Sequence, residues 1–172
     1  MRRKAILGLA TVAMTFGVFP IASSAAATIT DRPLLSVFDG ADTPQGAFDS
    51  PSSIAIDNAS GTVYVANSGN FQGNPPGRVC KFDADGTAVN FSATGSPCLT
   101  GMPGAPFTNE LRVAVDNSGG AFQGCVHIVA GGGKRLYAFA ASGSAGGVIT
   151  VPENATDMTI DAAGHPWTQA FG

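Results

Sequence analysis

The sequence predicts an all-β chain assembled from repeated units of short antiparallel strands, and three observations support that expectation. Apolar residues make up 44% of the 172 residues and fall in short patterned runs, which argues against disorder despite the abundance of Gly, Ser and Asn. Charged residues are only 12%, while there are 23 glycines. That is about half the usual charged fraction and about twice the usual glycine share, a balance suited to packed sheets and frequent turns. The third observation is self-similarity, because one pattern of strand, Asp and small-residue turn recurs along the chain.

The first copy opens with Pro51-Ser52-Ser53-Ile54-Ala55-Ile56-Asp57, the second with Asn109-Glu110-Leu111-Arg112-Val113-Ala114-Val115-Asp116, and the third with Asn154-Ala155-Thr156-Asp157-Met158-Thr159-Ile160-Asp161. Apolar residues alternate with small or polar ones, as in a strand with two different faces. Each Asp leads into a turn: Asn58-Ala59-Ser60-Gly61, Asn117-Ser118-Gly119-Gly120 and Ala162-Ala163-Gly164. The Asp-to-Asp spacings are 59 and 45 residues, near the roughly 40–50 of propeller blades with one loop-extended copy.

Further strands follow in the same order. Second strands are expected at Val63–Asn67 and Val126–Ala130, with the latter beginning near Cys125, and third strands at Arg78–Asp83 and Lys134–Phe139. Fourth strands are placed at Val89–Ala93 and Val148–Val151. Four short strands joined by hairpins make one blade of a β-propeller, so the predicted fold class is all-β, with propeller-like repeats of four-stranded antiparallel blades. The first blade spans about 47–97, the second about 105–151, and a third begins over about 152–172. About two and a half blades are therefore expected, as an incomplete ring belonging to the N-terminal part of a longer protein. A lone strand is expected at Pro33–Asp39, ahead of the first blade.

The run Pro-x-x-Ile-Ala-Ile-Asp at 51–57, then Gly-x-Val-Tyr-Val-Ala-Asn at 61–67 and Gly-Arg-Val-x-Lys-Phe-Asp-x-Asp-Gly at 77–86, resembles the NHL repeat. In that family the second strand commonly ends in Asp, whereas Asn67 stands here. The resemblance covers about residues 32 to 172. It is strongest in the first copy and weaker in the second, where Ala121-Phe122-Gln123-Gly124 is inserted and Gly131-Gly132-Gly133 stands in place of a longer loop. It implies a propeller. The family includes scaffold and binding domains, and its wider relatives include metal-dependent lyases.

The N-terminus points to export. Arg2, Arg3 and Lys4 precede an apolar stretch from Ala5 to about Val18, then Pro20 and the small residues Ala22 to Ala27. That order predicts a secretory signal peptide over 1–27, cleaved near Ala27, with the propeller repeats occupying 28–172 outside the cell or at its surface. No later run is long and apolar enough to span a bilayer. Without 1–27 the chain keeps 6 Lys+Arg against 12 Asp+Glu, a net of −6 over 145 residues. An acidic surface without a basic stripe does not favour nucleic acid.

Chemically suggestive residues are few. His127 and His165 are the only histidines, and the repeat aligns His127 with Tyr64 and Trp167, and His165 with Thr62. This suggests one slot for an amphipathic ring with a polar tip. Asp57, Asp116 and Asp161 read as turn residues whose side chains bond nearby amides, and Asp83-Ala84-Asp85-Gly86 as a hairpin turn. Glu110 and Glu153 each lie close before an opening strand and have no evident acid or base partner. No nucleophile elbow or phosphate-binding loop occurs. The sequence therefore assigns no catalytic residue, no metal ligand and no cofactor.

Asn58, Asn90 and Asn154 stand in N-x-[ST] triplets, which are acceptors if the host glycosylates exported proteins. Cys80, Cys98 and Cys125 leave one thiol unpaired. Cys80–Cys98 closes the shortest loop and Cys98–Cys125 would tie adjacent blades, so Cys98 is expected to be one partner. Function is expected to be non-catalytic binding or scaffolding, with inter-blade loops meeting a protein or carbohydrate ligand. The alternative is part of a metal-dependent propeller lyase or hydrolase whose remaining site residues lie in further blades.

Overall fold

The computed structural model describes residues 37, 39–69, 76–131, 134–151 and 154–171. The expected signal peptide over 1–27 lies outside these residues, as does Glu153. Of the strand expected at 33–39, only Val37 and Asp39 are described.

The described residues contain twelve strands and no α-helix. β1 (Pro51–Ile56), β2 (Val63–Asn67), β3 (Arg78–Phe82) and β4 (Cys98–Leu99) form an antiparallel sheet in that order. β5 (Gly101–Met102) and β6 (Ala105–Pro106) make a small hairpin. β7 (Leu111–Val115), β8 (Val126–Ala130), β9 (Arg135–Phe139) and β10 (Ala145–Thr150) form the second four-stranded antiparallel sheet. β11 (Asn154–Ile160) pairs with β12 (Pro166–Phe171). The chain is thus all-β, with propeller-like four-stranded blades as the alternating pattern predicts.

Equivalent turns set equivalent registers. The Gly61 amide donates to the Asp57 carbonyl at 2.8 Å, and Gly124 to Asp116 at 2.8 Å. These turns place Ile56 opposite Val63 in the first sheet and Val115 opposite Val126 in the second. Gly61 and Gly124 sit at φ 72° and 78°, where a Cβ is disfavoured. The Ala121–Gly124 insertion is therefore absorbed in the turn, and both flanking strands keep their pairing.

The core lies between the two four-stranded sheets. Tyr64, Ala66 and Val79 of the first meet Val113, Val126 and Ile128 of the second in one buried cluster. Phe107 comes in from the connection and meets Tyr137 edge-on at 5.0 Å. A second cluster covers the opposite face of the first sheet with Val65, Cys80, Phe82 and Cys98, joined by Phe48. Phe48 belongs to a turn segment held by buried Arg78, whose guanidinium donates to the carbonyls of Gly46 (2.9 Å) and Ala47 (2.7 Å). The Phe48 ring also lies 5.4 Å from the guanidinium carbon, within cation–π range.

The fourth strand of the first blade differs from expectation. It is β4 at Cys98–Leu99, and the predicted Val89–Ala93 segment makes a single isolated bridge, Phe91 to Ser96, just after another from Phe82 to Ala88. The Phe91 amide donates to the Ser96 carbonyl, folding the segment into a tight turn. Its ring is completely buried beside Tyr64, with centroids 6.1 Å apart. A Cβ on Gly143 of the second sheet would stand 2.7 Å from Phe91, a distance no side chain tolerates. Alternation over 89–93 therefore reflects a residue wedged between sheets and not a strand. Replacing Phe91 by Ala is expected to cost about 3–5 kcal/mol, read as a lower midpoint in chemical denaturation.

Cys80 and Cys98 face each other across β3 and β4 and are disulfide-bonded, leaving Cys125 free. The bridge closes a span of 18 residues that includes the Phe91 turn. Thiol titration of the denatured, unreduced protein is expected to find one thiol. Double replacement of Cys80 and Cys98 by Ala should lower stability by about 3 kcal/mol, as expected from loop closure for a span of this length.

Candidate functional site

The inner strands β1, β7 and β11 are each followed directly by the repeated aspartate, and the structure puts all three carboxylates in the same local role. The amide two residues on donates to Oδ1 in each case: Ala59 to Asp57 at 3.0 Å, Ser118 to Asp116 at 2.8 Å and Ala163 to Asp161 at 2.9 Å. Asp83 does the same, accepting from the amides of Asp85 and Thr87. These are Asx turns, in which a short side chain replaces a backbone acceptor. As the sequence suggests, they order the turns that precede the second strands.

A ring follows at one repeat position. Tyr64 stands opposite Ala55, His127 opposite Ala114 and Trp167 opposite Thr159, so the three are structurally equivalent. In the third copy the ring and the aspartate are joined directly, the Trp167 indole donating to Asp161 Oδ2 at 2.9 Å. In the second copy they are not. His127 Nδ1 and Asp116 Oδ2 are both buried and without a hydrogen-bond partner among the described residues. A Cβ on Gly164 would stand 2.8 Å from Asp116 Oδ2, so only glycine lets the third copy's turn approach this carboxylate.

Electrostatics follow from these surroundings. Burial raises the Tyr64 phenol to about 12, and nearby Asp57 adds to the shift. Burial also pushes the Cys125 thiol up, with Asp116 adding to it; such a thiol is a poor nucleophile. Burial lowers the His127 pKa below 6.5, and Asp116 offsets this only in part. Asp161 is held well below the usual carboxylate range by the Trp167 indole N–H and then the His165 amide. At Asp57 burial works upward, but hydrogen bonds from Ser60, Ala59 and Gln123 outweigh it and lower the pKa.

The remaining candidates are dispersed. Exposed His165 keeps to its own turn, with Nδ1 3.3 Å from Asp161 Oδ2. Glu110 pairs with Arg112. Asn58 and Asn90 are exposed. Among the described residues no group of three or more His, Cys, Asp or Glu side chains is arranged to hold a metal ion.

A concave feature at this end of the sheets combines aliphatic side chains with polar groups. A groove of about 380 Å³ runs across the inner strands, lined by Ile54, Ile56, Val113, Val115, Met158 and Ile160 and bounded by Asn117 and Asp161. Ile54 and Ile56 are 61% and 49% exposed, although their equivalents Val113 and Val115 are only 4% and 6% exposed. Nothing in the sequence marks this groove, because Ile at alternate strand positions signals core. The polar staples between the sheets are equally unmarked. Ser52 Oγ donates to the Leu111 carbonyl at 2.9 Å, and Ser53 and Ser68 accept from the amides of Val113 and Leu111. Asn117 donates to the Ile56 carbonyl and accepts from the Asn58 amide.

No family model matches the chain, and no curated protein does. Among solved structures, the chain is similar to a gluconolactonase from Xanthomonas campestris, with 18% identity and a TM-score of 0.47 over 73% of this chain. A protein of unknown function from Bacteroides caccae gives 12% identity and a TM-score of 0.41 over 67% of this chain. The chain spans 36% of the length of each.

His127 sets an acid-side stability limit. With its folded pKa below the unfolded value, the folded state favours neutral imidazole. Its contribution is complete above about pH 6.5 and is lost as pH falls through the lowered value. Asp57 and Asp161 contribute in the same direction at lower pH, fully above about 3.8. Denaturation midpoints should fall from pH 7 to 5 in the native chain and less in His127→Gln, with both falling steeply below pH 4.

Proposed function

We propose that this chain is an exported, non-catalytic binding or scaffolding module of propeller type that engages a protein partner through its inner-strand groove. One observation supports this reading most directly: the repeat's carboxylates are committed to turns, while Ile54 and Ile56 stand exposed where their equivalents are buried. Exposed aliphatic side chains beside strand edges suit an extended polypeptide, which supplies both apolar side chains and backbone hydrogen bonds. The groove lining includes no aromatic ring on which a sugar could stack.

Selection from a displayed peptide library tests the proposal. Enriched sequences should share alternating aliphatic residues and bind the Ile54→Glu/Ile56→Glu variant at least about tenfold more weakly. Equal binding to the variant would overturn the groove as the site. Turnover of a lactone such as glucono-δ-lactone, with calcium or zinc added, would overturn the non-catalytic reading.

The metal-dependent alternative has one observation in its favour, the buried and unpaired Asp116 Oδ2 and His127 Nδ1, whose side chains are near enough to interact electrostatically. Stoichiometric zinc or copper, lost in His127→Gln, would establish it.

A further inference from the structure

The second sheet has a neighbour on each face, and the two seams differ in one ring. Along β8, Val126, Ile128 and Ala130 belong to the cluster shared with the first sheet, whereas Val129 belongs to a cluster with Ala155 of β11. Successive strand residues point to opposite faces, so His127 lies on the β11 side with Val129. On β7 the same alternation puts Asp116 on that side, because Val113 and Val115 belong to the cluster with the first sheet. Gly164, in the turn after β11, is set against this carboxylate, and a Cβ there would stand 2.8 Å from Oδ2. In the seam between the two four-stranded sheets the equivalent ring is Tyr64, whose phenol burial pushes up to about 12. In the seam toward β11 it is an imidazole, which titrates near pH 6.5 in water.

A proton on His127 has no ready partner in this seam. Its Nδ1 and the Asp116 Oδ2 are both buried and without a hydrogen bond. Both atoms are already enclosed by described residues, so their surroundings do not depend on what lies beyond the array. In the third copy a larger ring spans the same interval, the Trp167 indole reaching Asp161 Oδ2 at 2.9 Å. The other charged groups on the surrounding elements are engaged or exposed. Arg112 of β7 pairs with Glu110, Asp157 of β11 accepts from the Met158 amide, and Asp161 is held in its own turn. Lys134, ahead of β9, is exposed. Cys125, on the same side of the strand as His127, has its thiol pushed up by burial and then by Asp116, so it stays neutral.

We propose that the contact between the second sheet and the β11–β12 hairpin is an acid-releasable joint, in which protonation of His127 loosens this seam and spares the one between the two four-stranded sheets. Docked, the imidazole is held neutral by burial, which Asp116 offsets only in part. Undocked, it meets water and takes up a proton near pH 6.5. Opening is therefore coupled to proton uptake, and the docking free energy is complete above about pH 6.5 and falls below it. The titratable groups at the first seam, Tyr64 and Asp57, change charge outside this range.

Hydrogen exchange of the whole chain, read by mass spectrometry at pH 7 and pH 5 with a chelator present, tests the joint. With rates corrected for the intrinsic effect of pH, residues 154–171 should exchange between about threefold and thirtyfold faster at pH 5. The upper figure is the limit for one group of pKa about 6.5 that protonates only when undocked. β1, β2 and β3 should show no such change. Asp161 remains ionised at pH 5, so its turn does not add to the effect. His127→Gln should abolish the difference, and so should His127→Tyr, which carries the ring of the first seam. His165→Gln, at an exposed position in the same hairpin, should leave it unchanged. Equal protection at both pH values, or loss spread evenly over both sheets, would overturn the proposal. A loss that survives in both His127 variants, or one that disappears in His165→Gln, would overturn it equally.

Discussion

The seam between the two four-stranded sheets is the contact on which the rest of the structure depends. A β-sheet with apolar residues on both faces is not stable by itself, because each face must be covered. Here one face of the first sheet and one face of the second cover each other, with Phe91 and Phe107 filling the space that the strands leave. The seam also meets a polar requirement. The inner strand β7 pairs with β8 along only one edge, and unpaired backbone groups on the other edge would be costly if buried. Ser52, Ser53 and Ser68 occupy that edge, so a strand edge that would otherwise need another strand is satisfied by side chains of the preceding unit.

The same construction explains why the acidic residues do so little chemistry. An aspartate placed where a strand enters a turn meets amides that have no other partner, and the carboxylate is then an acceptor already engaged. Among the described aspartates, only Asp116 retains a buried oxygen without a partner, across from glycine at 164. Variation between copies is concentrated at the ring position, where Tyr64, His127 and Trp167 share one slot in three environments. The tyrosine is buried, the histidine is half-buried and close to an aspartate it does not reach, and the tryptophan is exposed and bonded to its own turn.

Strands and turns were legible in the sequence because both depend on neighbours in the chain. Alternation along Leu111–Val115 and Arg135–Phe139 reflects two faces in different surroundings, and Asp with a nearby glycine marks a turn whose geometry is local. The segment Val89–Ala93 shows where this reasoning stops. Its alternation is as regular as that of a strand, but Phe91 packs against Tyr64 and Gly143, residues far away in sequence. No pattern within ten residues distinguishes a strand from a wedge.

The sequence by itself determined the all-β class, the repeat, the turns and the equivalence of the three aspartates and three rings, since these follow from backbone sterics and period-two alternation. Tertiary structure alone decided which cysteine joins Cys98, which serines close the edge of β7, and that Ile54 and Ile56 stand exposed while Val113 and Val115 are buried. The physical reason is that residues with the same local pattern differ only in what is packed against them, and packing partners are chosen across the fold.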